Sequence, residues 1–418
     1  METNKRQILR LTCAAHFLTH FFELLLPAVT MFLYRDLKQT IPGLEPTTVI
    51  KVGTMMYLLY GLLALAWGPI ADRFGAKLAL GLGMLFAGAG YLIAGAATTI
   101  PQLWAAFALT GVGIAAYHPA GIALLSKTIK ERGRALGING VWGSLGIAAA
   151  PFVGGIGGYY LGWRTLFFLV GTLGLVAGVA MFRMQGREHR NIEQTTVESL
   201  PANIAVRCFV IMAISMCLSG IIYRANMVTL PIHFEENVGV VIDWIDSNNA
   251  IGVGTIEGRG GNSKTLGATL LLTLAYLAGI IGQRIAGQLS DHYDLRWAYL
   301  SFWLLAIPGA IGLATLEGIP VMIAAGVFVI FAIGMQPIEN SLVARLTPPR
   351  WRSTFFGIKF VLVLGLSFVG VYLATYATDR WNSAAVYWIV TGLLVGVIAI
   401  VAALIFFSRN FSIHQRQT

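Results

Sequence analysis

Long apolar runs alternate with short polar breaks along almost the whole chain. A run of about 20 apolar residues is the length at which an α-helix crosses the hydrocarbon core of a bilayer. The pattern predicts twelve spans, near residues 9–33, 49–71, 78–97, 102–126, 136–158, 164–182, 205–230, 266–288, 297–315, 319–343, 354–377 and 384–407. Lipid offers no partner to backbone N–H and C=O groups, so each span must close its hydrogen bonds within itself, as a helix does. Two connections are longer than the rest. Residues 183–204 are polar and charged. Residues 231–265 hold Glu235, Glu236, Asp243, Asp246 and Glu257 and end in a glycine-rich stretch, which reads as a flexible acidic linker. The first apolar run continues through a full span without a small-residue cleavage site, so it reads as a helix and not a cleaved leader.

The pattern also repeats. GPIADRFGAK from Gly68 and GQLSDHYDLR from Gly287 each place an Asp four residues after a Gly, at the end of the second span of each half. YHPAGIALLSK matches MQPIENSLVAR, pairing Pro119 with Pro337 and Lys127 with Arg345 at an offset of 218 residues. Arg134 with Arg352 and Trp163 with Trp381 keep the same offset, and Asp72 with Asp291 falls one residue away. A duplicated six-span unit explains the shared register, and an even number of spans gives both copies the same orientation. The expected organisation is a six-helix half over 1–182, a linker at 183–204, and a second half over 205–418 with an extended outer loop at about 231–265. The fold class is all-α integral membrane, twelve helices in two pseudo-repeats.

Composition agrees: 56% of residues are hydrophobic and 11% charged, whereas a soluble domain carries about 25% charged residues. The net charge of +10 does not point to nucleic acid, because the basic residues sit in the short breaks between spans. Most fall on the side holding both chain ends, among them Arg10, Arg73, Lys77, Lys127, Arg183, Arg284, Arg345 and Lys359. The positive-inside rule then puts both termini in the cytoplasm of a plasma (inner) membrane protein. Cys13, Cys208 and Cys217 lie in or beside apolar segments and suggest no disulfide framework.

GPIADRFGAK resembles the Gly-x-x-x-Asp-Arg-x-Gly motif of the major facilitator superfamily, with Gly68, Asp72, Arg73, Gly75 and Lys77 matching and Ala76 replacing a basic residue. Gly68 is suited to close helix approach, Gly75 to a tight turn, and Asp72 to pairing with a cation or a helix N-terminus. The resemblance implies a transporter in which this loop latches one conformation, with Asp291 as the copy in the second half. The fifth span, GSLGIAAAPFVGG, is similar to the family's antiporter signature at Pro151, Gly154 and Gly155, with Ala150 in place of a glycine. That likeness implies exchange; ordinary small-residue packing is the alternative. The fourth span lacks the basic residue that the family often carries there, so no proton-coupling arginine is transferred to it. AAYHPAGIALLSK resembles the fosmidomycin-resistance-like exporters, as do His16 and Pro27 in the first span, whereas His20 and Glu23 depart from that branch.

The stretch HFLTHFFE carries the costliest residues of the first span. With 100° per residue, His20 lies about 40° and Glu23 about −20° from His16, so the three form one narrow stripe. Ionisable groups in spans face a partner, the bundle interior or water, which directs this stripe inward. A structural cluster, a proton or substrate site, and a metal site remain open for it. Further candidates are His118 beside Pro119, its counterpart Gln336 with Glu339 and Asn340, and Arg224 with Tyr223 and Asn226. They lie in the first, fourth, seventh and tenth spans, which line the cavity in the family resembled. Arg224 requires a carboxylate partner, with Glu339 a candidate, or an anionic ligand.

No nucleotide-binding GxxxxGK[ST] pattern is present, so an ion gradient is the expected energy source. The function expected is a proton-coupled exporter (antiporter) of a small anionic or zwitterionic organic compound. It is expected to act as a monomer in the lipid bilayer, without cofactor, resident metal, nucleic acid or enzymatic activity. A divalent-metal or cationic-drug transporter is the alternative. A membrane-embedded enzyme or a non-transporting sensor is more distant, and with only 7 histidines in the chain the several histidine boxes of a membrane di-iron enzyme cannot be built.

Overall fold

A computed structural model of the chain describes residues 2–129, 132–183, 202–239, 260–346 and 352–409. Among these residues there is no strand. Eleven helices are long and apolar enough to cross a membrane, and a pair bent by 47°, Pro46–Leu62 and Ala64–Phe74, completes twelve. In chain order they are α1 (Glu2–Leu37), the bent α2, α3 (Ala76–Ala96), α4 (Ile100–Ile114 resumed at Tyr117–Thr128), α5 (Arg132–Tyr160) and α6 (Trp163–Arg183). The second set is α7 (Ala202–Asn237), α8 (Gly260–His292), α9 (Leu295–Thr315), α10 (Ile319–Phe328, Val329–Ile333 and Gln336–Leu346), α11 (Arg352–Phe360, Val361–Gly365 and Phe368–Arg380) and α12 (Ser383–Ser408).

Within the first set, α3 packs between α4 and α6, and α1 packs along α5. Within the second, α12 packs on α7 and α9, and α9 on α10. The sets meet where α5 lies along α8 and α2 along α11. Leu169, Val176, Ile323, Trp388 and Phe406 are exposed on the outside. Apolar surface on this scale is stable only in lipid; the chain is a multi-pass membrane protein of all-α class.

Four spans are interrupted, α2, α4, α10 and α11. α4 turns at Ala115–Ala116, three residues before Pro119, and α10 at Gly334–Met335, two residues before Pro337. α10 and α11 pass through one π-helical turn each, at Val329–Ile333 and Val361–Gly365. Such turns shift the hydrogen-bond ladder and bend a helix locally. The α2–α11 crossing is the closest seam: a Cβ on Gly61 would stand 1.8 Å from the backbone N of Gly365. On the α5–α8 seam, a Cβ on Gly155 would stand 2.0 Å from Thr269 Oγ1.

Two expectations need correction. The acidic connection expected over 231–265 is shorter, because α7 continues to Asn237 and α8 begins at Gly260. The helices extend because their polar ends find partners: Glu235 accepts from Arg35 and from Thr265, at 2.8 Å for the latter, and Glu236 accepts from Ser383. Gly68 is not needed for close approach, since a Cβ there meets only Pro119 Cβ at 3.8 Å. Gly75 does require glycine: its φ of +100° turns the chain between α2 and α3.

Gly61→Ala is therefore expected to force α2 and α11 apart and to cost about 1–3 kcal/mol, the usual range for overpacking. Gly68→Ala is expected to be nearly neutral. Thermal unfolding of the detergent-solubilised variants, run side by side, checks this. Equal midpoints would contradict the seam.

Candidate functional site

The stripe on α1 does face inward, and it ends on a charge from the other half. Glu23 and Arg224 are both fully buried. Arg224 Nη2 donates to Glu23 Oε1 at 2.5 Å, and His20 Nδ1 meets Glu23 Oε2 at 2.7 Å. The guanidinium lies over the Tyr57 ring, 3.5 Å from its centroid, and its Nε donates to Ser367 Oγ at 3.4 Å. Thus α1, α2, α7 and α11 converge on one cation. Arg224 Nη1, the Tyr223 hydroxyl and Asn226 Nδ2 are buried without hydrogen-bond partners. Unpaired buried donors cost about 1–3 kcal/mol each, so α7 holds donor capacity that its own protein does not fill.

A second ion pair lies wholly in the second half. Lys359 Nζ is 2.8 Å from Glu339 Oε1, with side-chain exposures of 1% and 0%. Tyr299 donates to Glu339 Oε2 at 2.7 Å, Ser219 reaches the same oxygen at 3.5 Å, and Lys359 also donates to Asn340 Oδ1. Glu339 stands in the first turn of the last segment of α10, and Lys359 just before the π-turn of α11. Each kinked helix thus carries its charge beside its own irregular turn.

The third group is a histidine cluster. His118, at the break of α4, meets the Tyr60 hydroxyl through Nε2 at 2.8 Å and stacks on Phe360 at 4.4 Å. His16 Nδ1 donates to the backbone carbonyl of Asn139 at 2.8 Å, and its ring stacks on Tyr117 at 4.5 Å. Tyr117 in turn donates to Asn139 Oδ1 at 2.6 Å. Glycine at 143 makes room for this ring, because a Cβ there would stand 2.5 Å from His16 Cε1. Ring nitrogens of His16, His20 and His118 lie within 4.8 Å of one another.

The family model for the Major Facilitator Superfamily matches residues 11–256 and 212–417. The chain belongs to this superfamily. A probable L-galactonate transporter of Escherichia coli is 31% identical over 164 residues, 38% of this chain and 36% of that protein. So the chain spans little more than a third of that relative. The 4-hydroxybenzoate transporter PcaK of Pseudomonas aeruginosa is 27% identical over 350 residues, covering 76% of this chain and 75% of its own. The multidrug resistance protein MdtH of an Enterobacter species is 26% identical over 84% of this chain and 83% of its own. Among solved structures, a bacterial homologue of the human lysosomal transporter Spinster, inward-facing and occupied, aligns over 99% of both chains. Its TM-score is 0.69 at 14% identity, a likeness of fold. The chain is a transporter by family.

The path residues named from sequence fall into two clusters, with Gln336 in neither. His16, His20, Glu23, His118 and Arg224 come together at the centre. Glu339 and Asn340 come together with Lys359. Gln336 opens the last segment of α10, half-buried, and donates to neither cluster. Arg224 takes Glu23 as its carboxylate, not Glu339. Lys359 is a buried partner and not one of the topology-setting charges among which it was counted. Pro151 lies inside an unbroken α5, while Gly154 packs against Ala28 and Leu25 of α1 and Gly155 against α8. In the Gly68 motif, Asp72 and Arg73 end the second segment of α2, and Lys77 opens α3. The side chain of Asp291 lies outside the described residues.

Sequence reasoning missed Tyr57, Tyr60, Asn139, Tyr299, Lys359 and Ser367. A lysine in the apolar stretch FFGIKFVLVLG was the one legible signal among them.

Removing one member of a buried ion pair strands the other, which costs about 3–5 kcal/mol. Glu23→Ala and Arg224→Ala are each expected to lower stability on that scale, and the double variant is expected to recover most of the loss. A double-mutant cycle on thermal or denaturant unfolding measures this coupling; additive losses would mean that the pair does not couple the halves energetically.

Proposed function

We propose that the chain carries a small organic anion coupled to protons, with Arg224 as the anion-receiving group and Glu23 as the proton carrier. The observation that carries the reading is the fully buried Glu23–Arg224 pair, with Arg224 Nη1 left unmatched beside the Tyr223 and Asn226 donors. A guanidinium binds a carboxylate through a planar fork. In the closed pair Glu23 already occupies part of that fork, so an incoming carboxylate competes with it. Protonation of Glu23 weakens its hold on Arg224 and frees the cation for the substrate. His20, bonded to Glu23, is the neighbour from which a proton reaches it. Glu339–Lys359 is a second carboxylate–cation pair at which a proton can act, beside the π-turns that would move.

In this scheme proton and anion bind together. The relatives named for L-galactonate and 4-hydroxybenzoate, both carboxylates, favour the anion class. The second reading is export in exchange for protons across a plasma membrane, with both termini cytoplasmic. It is favoured by the likeness of Pro151, Gly154 and Gly155 to the antiporter signature and by the relative named for multidrug resistance. In the structure those glycines serve close packing, which is compatible with either direction.

Flux into proteoliposomes under an imposed pH gradient tests both readings, with 4-hydroxybenzoate, L-galactonate and a panel of cationic drugs as probes. Uptake of an anion driven by an acidic exterior is expected. Arg224→Ala should abolish it, and Arg224→Lys should restore it only in part. Glu23→Gln should keep downhill movement and lose uphill accumulation. Anion transport that survives Arg224→Ala would sink Arg224 as the anion-receiving group, transport of the cationic drugs without the anions would sink the anion reading, and accumulation driven by an acidic interior would establish exchange.

A further inference from the structure

Three imidazoles meet in the first half without an acidic residue or backbone element that needs all three. We propose that His16, His20 and His118 form a binding site for a divalent transition-metal ion of the zinc, cobalt or nickel class. One nitrogen of each ring is already in use. His16 spends Nδ1 on the Asn139 carbonyl, a group that can only accept, so its Nδ1 carries the proton and Nε2 keeps its lone pair. His20 spends Nδ1 on the Glu23 carboxylate, which leaves its Nε2 in the same state. His118 spends Nε2 on the Tyr60 hydroxyl, and its Nδ1 is buried with no hydrogen-bond partner.

Each ring is therefore oriented through one nitrogen by a backbone carbonyl, a carboxylate or a hydroxyl. These are the outer partners that orient metal-binding histidines and raise their basicity. For His118 the ligating form has Nε2–H donating to the Tyr60 oxygen.

The distances fit. One nitrogen from each ring lies within 4.8 Å of the other two. Tetrahedral coordination at about 2.0–2.1 Å per Zn–N bond places ligand nitrogens roughly 3.4 Å apart. Ring centroid separations of 4.9, 5.7 and 5.6 Å leave that closure to small side-chain rotations. His16 and His20 are one helical turn apart on the regular helix α1, and His118 is the second residue of the resumed segment of α4. Charge does not forbid a dication: Glu23 faces Arg224, and Glu339 faces Lys359. Three protein ligands leave a fourth position open, the arrangement of sites that take up an exchangeable ligand. Because His20 also holds Glu23, an ion bound here sits one hydrogen bond from the pair that joins the halves.

The proposal does not rest on the identity of the transported anion, because binding is measured on purified protein without one. The full chain in detergent is titrated with Co²⁺ and read by visible absorption, with Zn²⁺ as competitor. The wild type and His233→Ala, a buried histidine bonded to Ser383 and outside the cluster, should each bind one equivalent with the intense d–d bands of a tetrahedral site. His16→Ala and His118→Ala, checked for folding by size exclusion, should lose those bands. Tyr60→Phe keeps all three ligands and removes only the outer partner of His118; its affinity should fall about 10–100-fold. Absence of tetrahedral bands in the wild type overturns the proposal. So do unchanged bands in His16→Ala and His118→Ala, or undiminished affinity in Tyr60→Phe.

Discussion

The central constraint on this molecule is that a carboxylate from one half and a guanidinium from the other are fully buried against each other. Taking two charges out of water costs several kcal/mol per ion, and mutual attraction repays it only with good geometry and further hydrogen bonds. Glu23 and Arg224 have both: a 2.5 Å contact, His20 on the second carboxylate oxygen, and Tyr57 and Ser367 around the guanidinium. Neither charge can be left alone at this depth. The two halves can separate here only if a proton, an anion or another charge replaces the lost partner. On the proposed mechanism, a buried pair across the interface would tie any parting of the halves to ligand and proton occupancy.

The helices around that point are not straight. α2, α4, α10 and α11 are interrupted, and the breaks in α4, α10 and α11 lie within a few residues of His118, Glu339 and Lys359. Regular helix resists bending, whereas a π-turn or a proline break lets the backbone change direction with little loss of hydrogen bonding. Close glycine contacts at Gly61–Gly365 and Gly155–Thr269 keep the seams between the halves thin. On the side where α1 ends, Arg35 reaches from α1 to Glu235 of α7 and Thr265 of α8. That polar clasp joins the halves at a second depth.

The fold was legible because lipid imposes a simple rule: spans must be apolar, helical and about 20 residues long. The inward turn of His16, His20 and Glu23 was legible for a related reason, since helical period alone assigns them one face. The partner of Arg224 was not. Period fixes a face on one helix but not which neighbour that face meets, so the sequence pointed to Glu339 and not to Glu23. Lys359 was read as a loop charge because it lies near the predicted start of α11 and basic residues cluster at span ends. Its burial follows from Glu339, a tertiary contact that no local pattern carries. Glu235 and Glu236 were read as loop for the same reason: their helix continues because Arg35, Thr265 and Ser383 satisfy them. The close approach assigned to Gly68 came from residue type, and only the geometry assigns that role to Gly61.

The most direct test of the account is the proton count that accompanies anion binding. Isothermal titration of the anion selected by flux, repeated in buffers of different ionisation enthalpy, gives the protons taken up per anion bound. Net uptake approaching one proton is expected in the wild type and none in Glu23→Gln, with anion binding retained in that variant. No uptake in the wild type, or equal uptake in both proteins, would contradict the claim that Glu23 yields Arg224 to the substrate by accepting a proton.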